Sequence, residues 1–168
     1  ILDAAVPGQE IVDSPEALMV IGDKLYWGRT GGIYRCDLDG SNPEIFFDAG
    51  AGAPEYPIDM QYDPATGKIY LVNDKTDYTG GYFTLNFDGT ELIEHMLDID
   101  GTAIEVDTET GKVYIAGYAS AGTVMPENGI YVSNTDGSQL SKIGEYGSKA
   151  TWGITIDHKR SKLFWASK

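Results

Sequence analysis

The stretch "DPATGKIYLVN", from Asp63 to Asn73, returns 44 residues later as "DTETGKVYIAG", from Asp107 to Gly117. Self-similarity at a period of roughly 20 to 50 residues marks chains assembled from stacked copies of one small unit, and it restricts the fold more than composition does. The centre of the unit is a lysine, an aliphatic and an aromatic residue: "KLYW" at Lys24, "KIYL" at Lys68, "KVYI" at Lys112 and "KLFW" at Lys162, spaced 44, 44 and 50 residues. A second landmark follows the first three copies, "LDGS" (Leu38 to Ser41), "FDGT" (Phe87 to Thr90) and "TDGS" (Thr135 to Ser138).

Between the landmarks, Val, Ile, Tyr and Phe alternate with period two, which suits strands whose side chains point to opposite faces. "MQYD", "IEVD" and "ITID" run to Asp63, Asp107 and Asp157 and turn through "PATG", "TETG" and "HKRS" into the lysine strand. Asp can bond amides ahead of it, and Gly67 or Gly111 can take the positive φ that closes the hairpin. "GIYRCDL", "GYFTLNF" and "GIYVSNT" then turn at Asp-Gly into "PEIFF", "ELIEHM" and "SQLSKI". Each unit therefore reads as a four-stranded antiparallel meander, the strand count of a propeller blade, and no segment has convincing helical periodicity. Apolar residues on both faces of "KIYLV" and "KVYIA" fit a sheet covered on both sides. The fold class is an all-β propeller, with a sandwich of unrelated hairpins as the alternative. About three and a half blades are present, near 14–48, 57–97, 101–144 and 150–168 of a single partial domain, 1–168.

The 12 Lys and Arg stand against 26 Asp and Glu, and a net charge of -14 opposes attraction to nucleic acid or anionic lipid. No apolar run approaches the roughly 20 residues of a membrane-spanning helix. The chain opens on Ile1 without a signal peptide, which reads as a processed or cut chain. Cys36, the only cysteine, excludes an internal disulfide and cysteine-rich metal scaffolds.

The stretch "GDKLYWGRTGGIYRCDLDGSNPEIF" (Gly22 to Phe46) resembles the YWTD, or class B, repeat of the low-density lipoprotein receptor family, and "ITIDHKRSKLFWAS" (Ile154 to Ser167) resembles the opening of another copy. The resemblance covers nearly the whole chain and implies a six-bladed propeller, usually extracellular and usually protein-binding. Related seven-bladed propellers share the strand pattern. Where the family has Thr-Asp after the aromatic pair, this chain has "GR", "VN", "AG" and "SK", so the aspartate that ties the family's blades together is missing from every copy. The resemblance is that of a divergent relative, exported and bacterial, in a secreted, periplasmic or cell-surface setting.

"QEIVD" (Gln9 to Asp13) reads as the outer strand of a preceding blade, and the fourth blade stops after its second strand. A ring left open exposes apolar blade faces and a sheet edge. Completion by further blades of a longer chain or by a second copy is therefore expected, a compact four-bladed ring being the alternative.

Propeller sites usually lie around the channel, on the face bearing the outer-to-inner and second-to-third strand connections. Those segments here gather Tyr56, Tyr78, Tyr118, Tyr146 and Trp152 beside acids that include Asp100 and Glu127. Aromatic rings beside carboxylates suit a glycan or a peptide. The bland reading is that the rings pack between loops while the acids keep the protein soluble. No catalytic residue is assigned: His95 falls on an outer strand, His158 in a turn on the opposite face, and "GYASAG" around Ser120 lacks the spacing of a nucleophile elbow. "DLDGS" and "DIDGT" place glycine where a turn wants it and not where an EF-hand does. Asp59 and Glu105 are weak candidates for a divalent cation in the channel, and no other cofactor is expected. Tyr26, Trp27, Phe164 and Trp165 are expected in inter-blade packing, Cys36 as an inert half-buried thiol, and Arg29 in a surface ion pair. The expected function is a non-catalytic module binding protein or glycan. The alternatives are a metal-dependent lactonase or lyase, and a structural domain of a larger surface protein.

Overall fold

Each copy of the repeat folds into one antiparallel meander. The computed structural model describes residues 15–50, 54, 56–73, 81–96, 100–118, 128–145 and 151–167, and "QEIVD" lies outside them. The first sheet comprises β1 (Ala17–Ile21), β2 (Lys24–Arg29), β3 (Gly32–Asp37) and β4 (Glu44–Asp48). The second comprises β5 (Pro57–Asp63), β6 (Lys68–Asn73), β7 (Gly81–Asn86) and β8 (Ile93–Met96). The third comprises β9 (Asp100–Asp107), β10 (Lys112–Tyr118), β11 (Gly129–Asn134) and β12 (Ser141–Gly144), and the fourth only β13 (Thr151–Asp157) and β14 (Lys162–Ser167). Among the described residues the sole helical element is a 3-10 turn at His158–Arg160, and no helix is long and apolar enough to cross a membrane. The chain is a partial β-propeller.

Both hairpin turns repeat with the sequence. At the first, Asp63 accepts from the Ala65 amide (2.8 Å) and the Thr66 hydroxyl (2.9 Å), and Asp107 accepts from the Thr110 amide (3.0 Å) and hydroxyl (2.6 Å). Gly67 and Gly111 close these turns at φ 68° and 67°, where a β-carbon would be strained. At the second, Gly40, Gly89 and Gly137 each return an amide over 2.9 Å to the carbonyl of Asp37, Asn86 and Asn134.

Successive sheets pack face to face, and period-two alternation sorts each strand between two seams. Ile69 and Leu71 of β6 join Tyr26, Ile33 and Met60 in the seam between the first and second blades. Tyr70 and Val72 of the same strand join Ile104, Val113 and Ile115 in the next. Ala116 and Ile130 meet Ile154 in the third. Small residues permit the approach: a β-carbon on Gly28 would lie 2.5 Å from the Pro57 carbonyl oxygen, and one on Gly101 2.5 Å from Cβ of Val72. Register places Ala116 and Thr151 at the corresponding positions of the third seam. The inner strands β5, β9 and β13 also carry a bulge near their start, leaving Ile58, Thr102 and Trp152 without a partner in register.

The two ends of the arc differ from its interior. Met60, Ile104 and Ile154 hold one position of the inner strand and are 2%, 1% and 9% exposed; Leu18, their counterpart in β1, is 60% exposed. On the other flank Tyr26 and Tyr70 are buried, whereas their counterpart Phe164 is 51% exposed. Phe164 and Trp165 are thus not the buried packing expected of them, because no third strand lies beside β14 and no blade beyond it among the described residues. Tyr26 and Trp27 are buried as expected, and Cys36 is buried completely, with burial pushing its thiol pKa up.

Candidate functional site

An inner strand has one neighbour in its sheet, so half of its backbone amides point toward the axis without a ladder partner and need acceptors from elsewhere. Polar side chains of the preceding blade supply them. Asp59 of β5 accepts from the Ile104 amide at 2.9 Å, and Gln61 accepts from the Val106 amide at 2.8 Å through Oε1. Gln61 Nε2 donates to Glu105 Oε2 at 2.6 Å. Glu105 Oε1 in turn accepts from the Ile156 amide (3.3 Å) and lies 3.5 Å from the Thr155 hydroxyl. A relay of Asp59, Gln61 and Glu105 therefore links the innermost strands of three blades. In the first blade the matching positions are Ala17 and Met19, which join the apolar seam instead.

Burial, opposed by amides from Ile104 and Met60, raises the Asp59 carboxyl to about 6. The sequence suggested Asp59 and Glu105 as channel-facing cation ligands. The structure turns both toward the next blade, with an oxygen of each on a backbone amide. Among the described residues no three His, Cys, Asp or Glu side chains converge as metal ligands would.

The loop-face residues are distributed unevenly. Tyr56 is partly buried and its amide donates to Asn73 Oδ1 at 2.5 Å. Asp100 is buried at the start of β9, so it is not among the acids presented to solvent. Trp152 stands 61% exposed on the bulge of β13, whereas Ile58, at the same bulge position in β5, packs into the second seam. Of Tyr118 only the backbone at the end of β10 is described, and Tyr78, Tyr146 and Glu127, like Ser120, lie outside the described residues. Arg29 lies with its guanidinium 5.4 Å from the Tyr34 ring.

Sequence reasoning missed two clefts at the seams, on the face opposite these loops. The cleft between the second and third blades, about 230 Å³, is lined by Thr66, Lys68, Tyr70, His95, Thr135 and Asp136 among others. The Tyr70 hydroxyl donates to the Thr135 carbonyl (3.3 Å) and lies 3.2 Å from the Thr66 hydroxyl. His95 Nε2 lies 2.8 Å from the Thr84 hydroxyl and its ring stacks on Tyr82, burial lowering its pKa. The cleft between the third and fourth blades is larger, about 440 Å³, and is lined by the counterparts Thr110 and Tyr114 with Asp107, Glu109, His158, Ser161 and Lys162. His158 Nδ1 stands 3.5 Å from Glu109 and 3.8 Å from Asp107. The signal that could have found both clefts is the shared Thr-Gly-Lys-aliphatic-Tyr of the second and third copies.

No family model matches the chain, and no curated protein does. Solved structures do. A nidogen/laminin complex aligns with a TM-score of 0.64 at 18% identity, over 92% of this chain and 63% of that one. Kuenenia stuttgartiensis hydrazine synthase aligns at 0.72 and 11%, over 91% and 49%. The β-propeller domain of Myceliophteria thermophila Cps50 (Swd1) aligns at 0.54 and 15%, over 89% and 50%. At such identities the likeness concerns the fold alone. This chain spans about half to two thirds of the length of these three chains.

Proposed function

We propose that the chain is a non-catalytic binding module, a divergent YWTD-like propeller segment in an extracytoplasmic setting that engages protein through its uncovered flanks. One observation carries this reading: the Leu18 position is buried at all three seams and the Phe164 position at the first two, yet both are open at the ends of the arc, with Leu18 at 60% against 2% for Met60, and Phe164 at 51% against 0% for Tyr70. Burying such side chains contributes about 1.5–3 kcal/mol each, a driving force for completing the ring with further blades or a second copy. The nidogen/laminin match, a protein complex, is consistent with this.

Light scattering with hydrophobic-dye binding tests the reading. The 168-residue chain should bind dye and associate as its concentration rises, and the paired change Leu18→Lys with Phe164→Lys should reduce both. A wild-type monomer with a native β spectrum and no dye binding would defeat it. Exposed Trp152 favours a second use of the molecule, a loop face receiving a glycan or peptide, in which case Trp152→Ala abolishes that binding. Metal-dependent hydrolysis is less well supported, because Asp59 and Glu105 already bind backbone amides of the next blade.

A further inference from the structure

The three complete copies specify what the third seam is shaped to receive. Opposite each lysine of the repeat, the third strand of the blade places an acid or its amide: Asp37 across from Lys24, Asn86 from Lys68 and Asn134 from Lys112. Lys24 pairs with Asp37, and Lys112 Nζ donates to Asn134 Oδ1 at 2.6 Å. The next residue first ties back to the first turn of its own blade. The amide of Phe87 donates to the Gly67 carbonyl at 3.0 Å and that of Thr135 to the Gly111 carbonyl at 3.1 Å. The same two residues then cover the tyrosine of the preceding blade, Phe87 with its ring 5.9 Å from that of Tyr26, and Thr135 with its carbonyl on the Tyr70 hydroxyl. Asp-Gly and Ser or Thr follow in all three copies.

At the third seam the receiving half of this arrangement is present. Lys162 holds the lysine position, Ser161 the place of Gly67 and Gly111, and Tyr114 that of Tyr26 and Tyr70. Tyr114 is only partly buried, and the cleft in front of it is nearly twice the volume of its filled counterpart. The edge of β14 facing away from β13 pairs with no strand among the described residues.

We propose that this seam is a seat for a β-hairpin whose turn reads Asp or Asn, any residue, Asp, Gly, then Ser or Thr. The hairpin's first strand adds antiparallel to β14, its Asp or Asn meets Lys162, and the next residue donates to the Ser161 carbonyl and covers Tyr114. The hairpins of a second copy are already paired within their own sheets, so the occupant comes from protein outside these 168 residues. This inference rests on the binding-module reading and adds the chemistry of the partner to it.

The test uses the synthetic peptide GIYVSNTDGSQLSKIG, the sequence of residues 129–144. Because an isolated hairpin is only marginally formed in water, the same sequence is also joined after Lys168 through a flexible linker of about ten residues. Saturable binding of the peptide, or folding of the appended hairpin, should shift the fluorescence of the exposed Trp165 to the blue. Lys162→Ala should weaken the peptide by about three- to tenfold, and a peptide with the turn Asn-Thr-Asp-Gly scrambled should not bind. The proposal is overturned by a folded chain that shows no shift with either probe, by binding indifferent to both Lys162→Ala and turn scrambling, or by self-association that the peptide does not displace. If the chain binds dye while both probes fail, the open flank stands and only the hairpin assignment falls.

Discussion

Replacing Asp59 by Asn should stabilise the protein at neutral pH and do much less in acid. Burial pushes the carboxyl up to about 6 in the fold, from an ordinary value of 3.8. Its ionised form is therefore penalised by about two pKa units, or about 3 kcal/mol at roughly 1.36 kcal/mol per unit. Because the folded pKa lies above the unfolded one, the penalty is complete above about pH 6 and vanishes below about pH 4, so this group's contribution improves as the pH falls through that window. Asn keeps an oxygen for the Ile104 amide and does not ionise. Urea unfolding of both proteins at pH 7.5 and pH 3.5 gives the advantage of Asn at each pH, and the difference between the two advantages cancels everything that titrates alike in both. That difference should be about 2–3 kcal/mol in favour of neutral pH. An advantage equal at both pH values, or growing toward acid, would refute the account of Asp59 as a desolvated inter-blade tie.

Gly137→Ala should cost about 1–3 kcal/mol in a denaturant melt, because its β-carbon would lie 2.0 Å from His95 Nδ1 at a backbone φ of 81°. Gly89→Ala, at φ 82° with 3.4 Å to the nearest atom, isolates the backbone part and should cost less. Tyr70→Phe should lose about 1 kcal/mol with its bond to Thr135, while Tyr114→Phe should be nearly neutral in thermal unfolding of the isolated chain. Lowered by burial and by Lys68, with Asp136 opposing, His95 resists protonation in the fold. Wild type should therefore lose stability relative to His95→Gln as the pH falls from 6.5 toward 5, and a variant with the same acid response would count against this.

What the sequence disclosed was local and repeated. Asp63 and Asp107 at their turns, Gly67 and Gly111 at positive φ, and the two-faced burial of "KIYLV" all follow from residues within a few positions of one another. The roles of Asp59 and Glu105 did not follow, because side chains stand perpendicular to a sheet. In a propeller that direction leads to the next blade, and it is the free backbone edge of the inner strand that meets the axis. Asp100 misled for a related reason: its place among loop residues suggested exposure, but β9 begins with it and is buried there. Trp152 could not be separated from a ligand-binding ring by sequence, since its meaning depends on whether a further blade covers the bulge on which it sits.

The exchange of bulk across the seams has a consequence for how this molecule could have arisen and how it can be rebuilt. Gly28 admits Pro57, and Gly101 admits Val72. A chain with its second and third units transposed would set Gly28 against Gly101, leaving a void, and Ala116 against Pro57, crowding the join. The units share a sequence pattern yet are not interchangeable parts: their linear order is written into complementary volumes. Any shuffling of copies has to alter both members of a pair at once.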